Sequence, residues 1–491
     1  MTSTAVGGRR EKRASDGLIL ALACVAQFMV VLDVSIVNVA LPSIGRDLHY
    51  SPAGLQWVVN AYVLTFAGFL LLGGRAADLF GRRRVFVAGL GLFTLASLAG
   101  GVAQTAGWLT AARAVQGVGG ALLSPATLTI IVTTFSGDRR ARALGIWSAV
   151  AGAGGAAGSI LGGVLTSALS WRWVLFVNIP IGLLATVAAI AWLTEARRSD
   201  AGPAAGDASP AAGVAGPAPR RLDISGAVTV TAGLGALVYA IVGTESQPWG
   251  SARTITLLLV AAALLAVFVV IEMRLAGAPL VPLEIFRSRS VSGANAVMFL
   301  IGAAFFSMWY FLSLYLQNVL GYSALRAGMA FVPMAVTIII GAQASSRLLR
   351  RSGVRPLLMG GTLLAAAGFA WISRIEPHGS YWGRVFGPGC VIALALGLLF
   401  TPLAAAATSG VPVSQAGLAS GVLNTARQVG GSLGLAILAT IAIDRTAAML
   451  GAGRAAALTA GYARAFELAA AACLLAFAAS LAVPGLVRRR S

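Results

Sequence analysis

Charge is scarce in this chain. Only 11% of its 491 residues are charged and 58% are hydrophobic, with a mean hydropathy of +0.85. Soluble domains carry about 25% charged residues, so a water-soluble enzyme and a disordered chain are both excluded. Lysine is nearly absent, Lys12 being the single one. A phosphate-binding P-loop needs Gly-Lys-Ser/Thr after a glycine-rich turn; Lys12 follows Glu11, so no ATPase module is expected. Cys24, Cys390 and Cys473 stand isolated in apolar stretches, and His49 and His378 are the only histidines. No group of them has disulfide-framework or metal-ligand spacing. The apolar stretches hold no nucleophile–base pair, metal set or paired carboxylates. An enzyme is therefore not expected, and neither is a bound cofactor.

What the chain has in quantity is apolar blocks of bilayer-crossing length. They fall at about 17–41, 54–76, 83–103, 107–133, 143–168, 173–194, 224–243, 254–274, 292–318, 325–349, 354–374, 382–407, 414–443 and 462–484. The reading is an all-α polytopic membrane protein with fourteen transmembrane helices. The first block is too long for a signal-peptide core and contains Asp33, so it reads as a retained helix. The net charge of +20 sits between the blocks, where retention of basic loops in the cytoplasm explains it; no nucleic-acid partner is implied. One set of alternate loops and termini holds 25 basic residues and the other set 9, which puts both termini in the cytoplasm. The partners expected are the bilayer, small lipophilic substrates and protons, with the chain acting as a monomer.

The organisation reads as a tail over 1–16, a six-helix bundle over 17–194, and a cytoplasmic linker over 195–222 rich in Ala, Gly and Pro. Two inserted helices and an amphipathic connector follow over 223–291, then a second six-helix bundle over 292–484 and a basic tail over 485–491. The halves echo each other. Gly74-Arg-Ala-Ala-Asp78-Leu-Phe-Gly81-Arg82 follows the second span, and a run ending Arg350-Arg-Ser-Gly353-Val-Arg355 follows the tenth. Parallel repeats of six helices are a transporter architecture.

Asp33 is the one acid deep inside a span, about 12 Å from the outer end of the first. An intramembrane carboxyl is a functional candidate by default. Desolvation favours its protonated form, a nearby arginine its charged form; a group so balanced can exchange protons. Arg113, about 9 Å below the outer surface in the fourth span, is its natural partner. Arg427, mid-way along the thirteenth span, must face the bundle interior or water. Asp78 with Arg82 to Arg84 sits at a helix end and tight turn and reads as a latch. Gly154, Gly158 and Gly162 share one face of the fifth span and allow close helix approach, and with it a surface that rocks against the other bundle. Trp57, Asn60 and Tyr62 in span 2, with Phe305, Phe306, Trp309, Tyr310, Tyr315 and Gln317 in span 9, can line an adaptable cavity. Trp171, Trp173 and Trp249 read as interfacial anchors.

Across essentially its whole length the chain resembles the major facilitator superfamily, and within it the 14-spanner drug–proton antiporters. The resemblance rests on Leu32-Asp33-Val-Ser-Ile-Val-Asn38-Val-Ala-Leu-Pro42, on Gly74 to Arg84, on Arg113-Ala-Val-Gln116-Gly117-Val-Gly119, on Trp171-Arg-Trp173 through Asn178-Ile-Pro180, and on Asn424 to Gln428. It implies a 6+6 core with two inserted central helices and proton-driven export of small lipophilic compounds by alternating access, powered by the proton gradient. Asp33 would be the coupling acid, Arg113 would assist proton transfer, and Asp78 with Arg82, on the Gly74–Gly81 turn, would gate the cytoplasmic side. Asn38, Gln116, Asn424 and Arg427 join the aromatic and amide side chains above as cavity candidates. The family's fifth-span motif has Gly-Pro where this chain has Gly158-Ser159, and Arg350 stands where the second turn would have Asp. Export of a specific lipid, siderophore or other metabolite by the same mechanics is the alternative reading.

Overall fold

A computed structural model of the chain describes residues 16–135, 137–193, 223–244, 248–275, 279–281, 283–411 and 416–484. The expected tail over 485–491, the linker over 195–222 and all but residue 16 of the expected tail over 1–16 lie outside the described residues, as do the side chains of Asp78 and Arg350. Among the described residues there is no strand. That is what a bilayer demands, since every backbone N–H and C=O inside it must be paired within its own segment.

Fourteen helices of 15 residues or more follow one another. They are α1 (Asp16–Asp47), α2 (Trp57–Phe80), α3 (Arg82–Gly101), α4 (Ala106–Thr134), α5 (Gly137–Ala168), α6 (Asn178–Trp192) and α7 (Ile224–Gly243). After them come α8 (Ala252–Val270), α9 (Arg289–Leu314), α10 (Val332–Ser352), α11 (Val354–Ile372), α12 (Gly387–Thr408), α13 (Ala416–Ala448) and α14 (Arg454–Leu481). Thirteen stretches among the described residues are long and apolar enough to cross a membrane. The exception is α5, whose apolar part covers only Ala153–Ala168; its alanines, glycines and serines dilute its hydropathy. Its 32 residues nevertheless make about 48 Å of helix, packed along α1.

The helices form two packing sets, α1 to α6 and α9 to α14, with α7 and α8 beside them. The repeat seen in the sequence has a backbone counterpart. Gly81 (φ 97°, ψ 137°) joins α2 to α3, and Gly353 (φ 82°, ψ −179°) joins α10 to α11. Both conformations exclude a Cβ at low energy. Gly353→Ala should therefore cost about 1–3 kcal/mol, read as a lower thermal midpoint in detergent, although a Cβ there would meet open space. An unchanged midpoint would show that the turn relaxes freely.

Helix α7 is wedged against α2 and α13. A Cβ on Gly68 of α2 would lie 1.8 Å from Thr231 Oγ1, Thr440 of α13 donates to the Ile241 carbonyl at 3.3 Å, and Leu234, Val238 and Ile241 pack with Leu64 and Ala436. Helix α8 packs on α7 and exposes Leu259, Val260 and Val267.

Among the described residues, four side-chain hydrogen bonds join the two bundles. Ser313 donates to the Asn38 carbonyl at 2.7 Å and Gln317 to the Val39 carbonyl at 3.0 Å. Ser432 lies 3.0 Å from Asn60 Oδ1, and the Leu325 amide donates to Ser167 at 3.2 Å. The glycines Gly154, Gly158 and Gly162 do pack closely, but against the Phe28, Leu32 and Ile36 carbonyls of α1, inside their own bundle. The inter-bundle surface is instead the adjoining face of α5. A Cβ on Gly163 would come 2.7 Å from the Ala324 carbonyl, and a Cβ on Gly328 would come 2.2 Å from the Ser159 carbonyl. Gly163→Val should hold the bundles apart at this contact, raising the labelling of a cysteine placed at Asn38 by a water-soluble thiol reagent. Equal labelling with and without the valine would count against this contact as the closure.

Candidate functional site

Asp33 sits on α1, 14 residues before its end at Asp47. The helix runs past the sequence-read boundary at residue 41, through Pro42. The Asp33 side chain has no solvent exposure and Arg113 has 2%. Arg113 Nη1 donates to Asp33 Oδ2 at 2.5 Å, and Gln116 Nε2 and Asn178 Nδ2 donate to Oδ1 at 2.7 and 3.0 Å. The shell continues outward. Ser97 Oγ accepts from Gln116 at 2.8 Å and from Asn178 at 3.4 Å, and Ser97 donates to the Phe93 carbonyl at 2.8 Å. Arg113 is also held by Gln116 Oε1 at 2.6 Å, by the Val58 carbonyl at 3.1 Å and by the face of Tyr62, whose ring centroid is 4.5 Å away.

This arrangement brings α1, α2, α3, α4 and α6 onto one carboxylate. Burial of two charges is tolerated only where they are paired and their remaining hydrogen-bonding positions are filled, and both conditions hold. Every neighbour of Asp33 in this network donates to it. Tyr62 Oη and Asn178 Oδ1 are buried without a partner among the described residues, at a cost of about 1–3 kcal/mol each. The site thus holds polar atoms able to take new partners.

Two residues expected in a substrate cavity belong to this shell instead. Gln116 is 1% exposed and Tyr62 also 1%, because the acid needs amide donors and its arginine an aromatic platform. Asn178 and Ser97 were not assigned to the site in the sequence. An amide opening an otherwise apolar span was a usable signal for Asn178. Ser97 carried none, since a serine bonded to the carbonyl four residues back is common in any helix.

On the other face of α1, Val34 and Asn38 line a cavity of about 140 Å³ together with Phe305, Phe306, Trp309 and Arg427. A second chamber of about 220 Å³ shares Val34, Asn38 and Trp309 and adds Ser35, Ser159 and Phe331. Arg427 Nε and Nη2 both donate to Asn424 Oδ1, at 3.2 and 2.8 Å. The remaining cavity candidates lie elsewhere. Trp57 borders a crevice of about 630 Å³ between α2, α4 and α7, facing Tyr239. Tyr310 borders one of about 470 Å³ with Asn318 and Tyr462, while Asn60 and Gln317 make the inter-bundle hydrogen bonds above.

Ser159 donates to the Gly155 carbonyl at 3.3 Å and lies 3.2 Å from Ser35 Oγ, which itself donates to Gly155 at 2.5 Å. A hydrogen-bonded stitch between α1 and α5 therefore stands where the resemblance expects a proline. Trp171 is not an interfacial anchor. It is buried, donates to Asp47 at 2.8 Å and stacks under Arg172, whereas Trp173 and Trp249 are about half exposed. At the Gly81 turn Arg83 donates to the Ile190 carbonyl at 2.6 Å, closing the end of α6. Gly74 has room around it: a Cβ there would come no closer than 3.7 Å to its nearest neighbour, Pro125.

Comparison with known proteins gives a consistent picture. A profile described as Major Facilitator Superfamily matches residues 23–435. The cephamycin export protein CmcT of Amycolatopsis lactamdurans is 45% identical over 88% of this chain and 86% of its own length. The puromycin resistance protein pur8 of Streptomyces alboniger is 41% identical over 88% of this chain and 83% of its own. Among solved structures, a bacterial homologue of the human lysosomal transporter Spinster, inward-facing and unoccupied, superposes with a TM-score of 0.64 at 17% identity, covering 96% of this chain and 98% of that one.

Proposed function

This chain belongs to the Major Facilitator Superfamily, and from that premise we propose that it is a proton-coupled antiporter. Its substrates are lipophilic drugs or secondary-metabolite antibiotics, exported across the cytoplasmic membrane by alternating access. The relatives named for cephamycin export and puromycin resistance support the substrate class. The observation that carries the coupling is the position of Asp33, one residue from Val34 of the cavity wall and sealed behind it by Arg113, Gln116 and Asn178.

With the outer half open, a proton reaches Asp33 and neutralises it. Arg113 then loses its counter-charge and the amide donors lose an acceptor, so α1 shifts against α4 and its cavity face releases substrate outward. Closure of the outer half and loss of the proton to the cytoplasm restore the network. The cavity is smaller than the roughly 300–1,000 Å³ of a drug-sized pocket, so it enlarges as the bundles rock. Arg427, held by a neutral amide, suits substrates with an acceptor or anionic group. The latch of Asp78 and Arg82 closes the cytoplasmic side. The protein works as a monomer with both termini in the cytoplasm and with no cofactor beyond the proton gradient.

The test uses inverted vesicles with an acidic interior and a pH-sensitive dye, challenged with lipophilic cations, neutral antibiotics and carboxylate-bearing antibiotics. Substrate-induced proton release is expected. Silence across the panel, from protein shown to be folded and inserted, would overturn the antiport reading.

A further inference from the structure

The inserted helix pair carries an acidic site of its own. Asp223 caps the start of α7, where Oδ1 accepts from the Gly226 amide at 2.7 Å and from Ser225 Oγ at 2.8 Å. Glu272 lies in the π-helical turn Ile271–Leu275 that follows α8, and its Oε2 accepts from the Val281 amide at 3.1 Å. That turn packs on α7, and Asp223 acts on Glu272 by charge and by hydrogen bonding. They are 8% and 6% exposed, and each keeps one buried oxygen, Asp223 Oδ2 and Glu272 Oε1, with no partner among the described residues.

Two buried carboxylates side by side cannot both stay ionised without a cation or a proton between them. Among the described residues, neither acid is in an ion pair. Arg274, in the same turn, is exposed, as are Glu284, Arg287 and Arg289 beyond the connector. On α2 the nearest cation is Arg75, three residues past the Leu72 that packs on Ala227 and Leu280. It has an interaction of its own, and the charged group that acts on Glu272 most strongly is Asp223. No group of three or more acids, cysteines or histidines able to hold a metal ion occurs among the described residues. One proton satisfies both orphaned oxygens at once, as the O–H of one carboxyl donated to the other.

We propose that Asp223 and Glu272 form a second proton-binding site, separate from Asp33, whose single shared proton fastens α7, the end of α8 and residues 280–281 together on the face of the membrane that carries the basic loops. Removing that proton places two like charges in contact and loosens the helix pair from α2. The site lies at the start of α7, where Ala227 packs on Leu72 of α2, so its protonation reports the pH of that face to α2 and its bundle.

The test is infrared titration of the purified full chain, comparing wild type with Glu272→Gln and Asp223→Asn. Loss of one protonated-carboxyl band in each variant, at a pH where the wild type shows it, is the expected result. Glu272→Gln is informative because its amide donates to Asp223 permanently, as the protonated acid does. A folded state that holds a proton the unfolded chain has lost becomes less stable as pH rises. The wild-type thermal midpoint should therefore fall from about pH 6 to about pH 9, and that of Glu272→Gln should stay level. Identical carboxyl bands in all three proteins would overturn the proposal. So would a wild-type band abolished by sodium or potassium at constant pH, since a metal cation would then be the ligand.

Discussion

Substrate-induced proton release from vesicles bearing Asp33→Asn should fall to that of empty vesicles, while substrate still binds. An amide at this position cannot take up or give up a proton in the working range. It also has one accepting oxygen facing donors on two sides, Arg113 against Oδ2 and Gln116 with Asn178 against Oδ1, so at least one of them loses its acceptor. Folding should be weakened but retained, because Arg113 keeps the Val58 carbonyl, Gln116 Oε1 and the Tyr62 ring. Proton release at the wild-type level from folded Asp33→Asn protein would remove Asp33 from the coupling path and leave the network a structural one.

Arg113→Leu should have the largest effect on stability of any single substitution in the N-terminal bundle. It strips the counter-charge from a carboxylate with no solvent exposure, and breaking a buried pair from one side costs about 3–5 kcal/mol. The yield of folded protein in detergent should collapse. Adding Asp33→Asn to Arg113→Leu removes the stranded charge and should recover most of the loss, a coupling of about 1–3 kcal/mol across the double-mutant cycle. Losses that simply add would mean that Asp33 and Arg113 do not stabilise one another. The recovered double variant should remain unable to couple protons, which separates the pair's structural contribution from its role in transport.

The membrane-spanning character of the chain was legible in its hydropathy, because a bilayer admits few alternatives to an apolar helix about 20 residues long. The repeat was legible at Gly81 and Gly353, where positive φ excludes other residues. The pairing of Asp33 with Arg113 was also within reach of sequence, since two charges at similar depth in apolar spans have few other partners. Helix ends were less exact. Helix α1 continues through Pro42 to Asp47, and α5 begins at Gly137 rather than near 143, because polar residues can extend a helix beyond the apolar block that marks it.

Rotational position was the harder quantity. One residue along a helix turns the side chain by about 100°, so small errors of register exchange one face for another. That is why Gln116 and Tyr62 face the buried Asp33–Arg113 pair and not the cavity, and why Gly158 faces α1 while Gly163 meets the opposite bundle. By itself the sequence determined the all-helical, membrane-spanning character of the chain and which charged residues lie within its apolar blocks, properties set by solvation of each segment taken alone. Only the tertiary structure decided which donors close around Asp33, which side chains line the cavity, and that Asp223 meets Glu272 from helices 49 residues apart. Those outcomes depend on how two helix faces are turned toward each other, and no segment's composition records that.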